Sequence, residues 1–339
     1  MTPAIFGIAG PRLTADERAF FQEADPVGYI LFGRNCEDGP QLRRLTDDLR
    51  SVHGREKLLV SIDQEGGRVA RLRPPQWSAY PRGEAFDRLY ALAPASAIEA
   101  ARVNAHAMAL ELAEFGITVD FHPPLDVRQP GAHDVIGDRA LGGEPRQIAA
   151  LGRAILDGLA TGGVAGCIKH MPGHGRAMCD SHKEMPTVTA SDEEMESDLA
   201  PFRALRDAPI GMTGHLLFTA WDGDNPTTLS PTVIEQIIRQ RIGFDGLLLT
   251  DDIDMQALGG TVPERSVGAH AAGCDVILNC WAKMDDQVAI AQQLPRLSDK
   301  GVDRLERALS GTQIRDESGA KAELLAKRDA LLALAGEAA

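Results

Sequence analysis

Short apolar runs rich in Val, Ile and Leu alternate with amphipathic stretches along nearly the whole chain. Runs at 28–32, 58–62, 118–121, 165–168, 210–213, 246–249 and 275–278, with a weaker one at 4–8, have the length and residue types of strands. The stretches between them carry helix punctuation. Thr14 with Glu17 and Ser191 with Glu194 form capping-box patterns, and Ser230 before Pro231 reads as an N-cap with proline in the first turn. Gly54, Gly116, Gly162 and Gly243 follow helical stretches, where glycine can take the left-handed conformation that ends a helix. Strands alternating with helices predict a parallel sheet covered by helices, and eight strands predict that it closes. The expected fold is α/β, a single and slightly irregular (β/α)8 barrel of the TIM type. The Ala- and Leu-rich segment 321–334 reads as a C-terminal helix on the outside. A doubly wound sheet would want a G-x-G-x-x-G fingerprint after an early strand, and the sequence has none.

A barrel of this kind takes about 250 residues or more, so the 339 residues fit one catalytic domain, 1–339. No linker or change in composition marks a second domain. Hydrophobic residues make up 44% and charged residues 25%, the composition of an ordinary globular protein. A net charge of -14 argues against nucleic acid or anionic lipid as a partner, since both need clustered Lys and Arg. Residues 1–10 lack a basic n-region, and no apolar stretch reaches the length of a membrane span. Cys36, Cys167, Cys179, Cys274 and Cys280 are odd in number, widely spaced and without a C-x-x-C pair, which predicts reduced thiols in the cytoplasm. Neither a cofactor nor an obligatory protein partner is expected.

Barrel chemistry sits at the carboxyl ends of the strands, and here those ends are densely polar. The second full-strength run leads into Asp63-Gln64-Glu65-Gly66-Gly67-Arg68, the next into Asp120 and later Asp126, and the following one into Lys169-His170. Further on come Thr213-Gly214-His215 and Thr250-Asp251-Asp252. Any one of these could be a helix cap or a satisfied histidine. Together they place ionisable groups around one mouth and favour a hydroxyl-rich ligand. The segment Lys169 to His182 holds two glycines, a proline and three histidines, too irregular for a helix and too polar for a buried strand. Asp180 and His182 can meet if the chain turns between them, so that the carboxylate orients one imidazole nitrogen and the other faces substrate. Asp251 is expected to point into the mouth and Asp252 away from it, because side chains alternate on an extended chain.

K-H-x-P-G-H-G at Lys169 to Gly175, followed four residues later by D-S-H at Asp180 to His182, resembles the signature of the single-domain bacterial β-N-acetylglucosaminidases of glycoside hydrolase family 3. The segments I-L-F-G-R-N at Ile30, D-Q-E-G-G-R-V-x-R-L at Asp63, V-I-G-D-R at Val135 and T-D-D-I-D-M at Thr250 agree with it, in the right order. Met171 stands where an aromatic is usual and His122 where a small residue is common. The resemblance implies that Asp251 is the nucleophile and that His182 with Asp180 is the acid/base dyad. It implies that Asp63, Arg71, Arg139, Lys169 and His170 hold the hydroxyls of a terminal N-acetylglucosamine, with no metal. It further implies retention through a covalent glycosyl-aspartate, on an N-acetylglucosaminyl 1,6-anhydromuropeptide in peptidoglycan recycling.

The chemistry is consistent with these residue types. A histidine with an ordinary value of about 6.5 is partly protonated near neutrality, more so beside a carboxylate, and once neutral it can activate water for the second step. A neutral base also repels an anion little, which leaves phosphate beside water as an acceptor. A metallohydrolase would draw on His170, His174, Asp180, His182 and His215, but barrel enzymes of that kind usually carry H-x-H after the first strand, and 4–11 has no histidine. A sugar-binding protein on a decayed barrel should have lost Asp180, His182 or Asp251. A β-glucosidase or xylosidase of the broader family would, by resemblance, lack the D-S-H segment.

Overall fold

The computed structural model describes residues 1–129, 131, 135–177, 185–313 and 318–336. Among these residues ten strands run in chain order: β1 (Thr2–Gly7), β2 (Pro26–Leu31), β3 (Leu59–Ile62), β4 (Val119–Asp120), β5 (Ala165–Met171), β6 (Thr187–Val188), β7 (Ile210–Thr213), β8 (Leu217–Phe218), β9 (Leu247–Asp252) and β10 (Val276–Asn279). Eight of them close in the order β1-β10-β9-β7-β5-β4-β3-β2, every neighbour parallel, while β6 and β8 form a separate two-stranded ribbon. Each crossover between barrel strands carries at least one helix, from Ala15–Ala24 after β1 to Val262–Ala272 after β9, and Met284–Gln293 follows β10. This is the (β/α)8 barrel expected from the alternation of runs.

Parity along the strands divides the core in two. Ile5, Ile30, Leu59, Val119, Leu247, Leu249 and Leu278 share one buried cluster. Their chain neighbours Phe6, Tyr29, Leu31, Val60, Leu248 and Ile277 join a second cluster with the helices. A parallel strand packed on both faces must be apolar at every position, which is why the runs are continuous rather than alternating. Leu305 and Leu309 of the helix Asp299–Leu309 belong to the first cluster and extend it. The last long helix, Ser318–Leu332, packs outside against Pro94–Glu114, with Lys321 paired to Glu111 at 2.9 Å and Arg328 donating to the Ala79 carbonyl at 3.0 Å.

The punctuation is mostly as expected. Thr14 and Glu17 complete their capping box, and Ser230 Oγ accepts from the Val233 amide at 3.0 Å. Ser191 and Glu194 also bond reciprocally, but in a turn ahead of the helix Glu196–Ala204 rather than at its first residue. Gly162 is a correction: its φ is -82°, and the left-handed residue is Gly163. A Cβ at Gly162 would stand 2.4 Å from the Ala109 Cβ, so this glycine serves the close approach of the helices Pro145–Thr161 and Pro94–Glu114.

Candidate active site

Two breaks of register at the carboxyl end of the barrel build the site. Along β5, Ile168 pairs with Gly211 but Met171 with Thr213, three residues against two. Along β9, Leu249 pairs with Val276 but Asp252 with Leu278, again one residue in excess. An extra residue interrupts the in-out alternation of a strand and re-aims its side chains. Consecutive residues therefore face one cavity: Lys169 with His170, and Asp251 with Asp252. The expectation that Asp252 points away fails for this reason, since it assumed an unbroken strand.

The cavity, about 520 Å³, is lined by Asp63, Arg71, Arg139, Lys169, His170 and Asp251, six of the residues expected from sequence, together with Phe32, Arg68, Met255, Cys280 and others. Asp180 and His182, the expected dyad, lie outside the described residues.

A chain of alternating charges runs along one wall. Arg71 Nη2 meets Asp63 Oδ2 at 3.0 Å, and Lys169 Nζ sits 3.1 Å from Asp63 Oδ1 and 2.7 Å from Glu65 Oε1. Arg139 then grips Glu65 with two bonds of 2.7 and 2.8 Å. Burial works against the charges of Asp63, Glu65, Lys169 and Arg139, yet pairing wins. Lys169 and Arg139 titrate above their ordinary values because of Glu65 and Asp63, and both carboxyls titrate below theirs. The result is a rigid, fully ionised comb of donors and acceptors, suited to sugar hydroxyls. Sequence reading left Glu65 out of the site, although its spacing of two from Asp63 could have found it. His122 lies behind this wall, and burial lowers its imidazole to about 4, so it is neutral against Lys169 and Arg139.

His170 is oriented by Asp126, whose Oδ2 is 2.8 Å from Nδ1. Asp126 Oδ1 also accepts from the His174 amide at 2.7 Å. A proton held on Nδ1 leaves Nε2 for a substrate hydroxyl. His215 sits beneath the bulge, with Nε2 donating to the Asp252 carbonyl at 2.9 Å and Nδ1 receiving the Thr228 hydroxyl at 2.7 Å. Burial lowers its pKa, in keeping with a neutral ring on two neutral partners. His215 is thus fixed as a support of the bulge, and among the described residues no group of three His, Cys, Asp or Glu is placed to hold a metal ion.

The two aspartates of the bulge have opposite protonation. Burial would raise Asp251, but His170, the Asp252 amide (2.8 Å from Asp251 Oδ1) and Lys169 outweigh it, and the carboxyl lies below its ordinary range. Asp252 is pushed up to about 8, by burial first and then by Asp254. Its Oδ1 accepts the amides of Cys280 and Asp254, each at 3.2 Å. One aspartate is an anion at neutral pH and the other is a neutral acid. A carboxyl raised on folding stabilises the fold fully below its unfolded value near 4, and that contribution is lost as pH rises towards 8. Asp252→Asn is therefore expected to melt close to wild type at pH 5 and clearly above it at pH 9. A Tm difference that does not grow between those pH values would count against a protonated Asp252.

Residues 8–310 match the family "Glycosyl hydrolase family 3 N terminal domain". A β-hexosaminidase of Bordetella avium is 36% identical over 283 residues, 82% of this chain and 80% of its own. The crystal structure of NagZ from Neisseria gonorrhoeae in complex with N-trifluoroacetyl-D-glucosamine superposes with a TM-score of 0.88 at 30% identity, covering 99% of this chain and 98% of that one. A family 3 β-N-acetylglucosaminidase from a Paenibacillus species superposes with a TM-score of 0.81 at 33% identity, over 100% of this chain and 62% of that one.

Proposed function

The chain belongs to glycosyl hydrolase family 3 and is a glycoside hydrolase, and on that footing we propose that it is a retaining exo-β-N-acetylglucosaminidase working through Asp251 and the dyad of His182 and Asp180. The observation that carries the reading is an ionised Asp251 facing the same cavity as the charged wall of Arg71, Asp63, Lys169 and Arg139. That wall grips the hydroxyls of the terminal sugar and holds its anomeric carbon against the carboxylate. Asp251 forms a bond to that carbon as the glycosidic C–O bond breaks, and the leaving oxygen takes the proton of His182. The neutral His182, oriented by Asp180, then takes a proton from water as the water oxygen displaces Asp251, which restores both groups. The named activities of the relatives support the amino sugar as glycone. On the resemblance of its signature segments, the substrate we propose is an N-acetylglucosaminyl anhydromuropeptide, cleaved in cytoplasmic recycling of cell-wall fragments by one catalytic domain spanning 1–339.

The test is hydrolysis of an aryl N-acetyl-β-glucosaminide beside the matching glucoside, with the first product anomer followed by NMR. The amino sugar is expected to be preferred by about ten-thousandfold, the scale on which a site built to hydrogen-bond a group rejects an analogue lacking it, and the β anomer should appear first. Preference for the plain glucoside overturns the substrate, and an α first product overturns the mechanism.

A further inference from the structure

The cavity wall continues into a residue that the chemistry above does not use. Two positions past the end of β10 stands Trp281, 62% exposed and, among the described residues, the large aromatic most open to solvent. An exposed indole offers apolar area that water does not favour, and a large exposed aromatic beside a binding cavity marks a contact surface rather than a folding element.

The backbone that presents it is clamped from several sides. The Cys280 amide donates to Asp252 Oδ1 and Asp254 Oδ2, each at 3.2 Å, and the Trp281 amide donates to the same Asp254 oxygen at 3.3 Å. On the other side the Cys280 carbonyl accepts from Arg34 Nη2 at 2.6 Å. The next residue, Ala282, holds a left-handed φ of 55°, which a residue with a Cβ adopts only when its surroundings impose it. Lys283 Nζ lies 5.9 Å from the indole centroid and occupies one side of the ring. Cys280, directly before the indole, lines the catalytic cavity.

We propose that Trp281 is the platform for the second sugar of the substrate, its free indole face stacking on the apolar face of the ring beyond the scissile bond. The proposal rests on the reading of the cavity as the site of the terminal N-acetylglucosamine: with the glycone held at Asp63 and Lys169, the leaving sugar must extend outward past the rim. A pyranose presents axial C–H groups on one face, and such a face is complementary to an aromatic ring in the way base and aromatic rings are to Trp.

The probe is chitobiose, with free N-acetylglucosamine as the ligand that occupies the glycone site alone. Trp281→Ala is expected to lower kcat/KM on chitobiose about tenfold, the scale of one aromatic stacking contact. The inhibition constant of N-acetylglucosamine should stay unchanged, and Trp281→Phe should keep most of the wild-type kcat/KM. In an Asp251→Asn background, chitobiose should quench tryptophan emission, and the added Trp281→Phe change should remove that quenching. Equal losses for chitobiose and N-acetylglucosamine, or no loss for either, overturn the platform. If the wild type releases no N-acetylglucosamine from any β-glycoside, the reading of the cavity itself falls. Intact release with an unmoved Trp281→Ala overturns the platform alone.

Discussion

Replacing Asp251 with Asn is expected to lower kcat on an aryl N-acetyl-β-glucosaminide by at least about a thousandfold, roughly 4 kcal/mol of transition-state stabilisation, while N-acetylglucosamine still binds with near wild-type affinity. The expectation follows from the protonation states in the bulge of β9. A nucleophile must be an anion, and Asp251 is one because its neighbours His170 and Lys169 and the Asp252 amide overcome its burial. Asp252 faces the same cavity but cannot stand in. It is held protonated up to about pH 8, and its Oδ1 is already engaged by two backbone amides. Asp252→Asn should therefore retain most of the rate. Steady-state kinetics together with calorimetric titration of N-acetylglucosamine checks both statements. Full activity in Asp251→Asn with loss only in Asp252→Asn reverses the assignment. Because Asp251 lies below the usual carboxylate range, the acid limb of kcat/KM should fall below pH 4, and the alkaline limb should be set by an imidazole.

The barrel was legible because each strand is buried on both faces, so that continuous apolar runs of four or five residues, separated by capped helices, admit few other architectures. The cavity residues were legible for a related reason: strand ends in a barrel converge, so Asp63, Lys169 and Asp251 meet although more than a hundred residues separate Asp63 from Lys169. What sequence could not give is register. One extra residue in β5 and one in β9 put Lys169 beside His170 and Asp252 beside Asp251 on a single wall. Nothing in the residue types of Leu249 to Asp252 announces the break. Thr250 marks it only in retrospect, because its hydroxyl accepts the Leu278 amide at 2.9 Å in place of a strand carbonyl. Glu65 was missed for another reason. A glutamate beside two glycines reads as a turn residue, and its pairing to Arg139 crosses seventy-four positions. Cys280 and Trp281 carry no pattern at all, since their importance comes from where β10 ends.

Lys169→Met is expected to destabilise the protein by about 3 kcal/mol and to lower kcat/KM about a hundredfold, the scale of a lost charged hydrogen bond in a closed site. The side chain is 2% exposed, and its ammonium lies between Asp63 and Glu65. Its removal leaves two carboxylates facing one another across an apolar methionine. Each keeps an arginine, Arg71 for Asp63 and Arg139 for Glu65, which places the cost at the lower end of the range for breaking a buried pair. The sign of the pH dependence follows from the carboxyls. Both are depressed on folding, so their contribution is present above about pH 4 and lost as pH falls through their lower folded values. Without Lys169 the depression is smaller, so the deficit in Tm should be largest at neutral pH and shrink towards pH 3. Glu65→Gln in the same chain removes one of the stranded charges and should restore part of the Tm without restoring turnover, because the hydroxyl donor is still missing. Lys169→Arg should recover charge but not rate, since the bulkier planar guanidinium does not reproduce a compact ammonium held between the two carboxylates. A Lys169→Met protein that melts with the wild type at pH 7, or a double variant no more stable than the single one, would show that the charged wall of the cavity is not held together in this way.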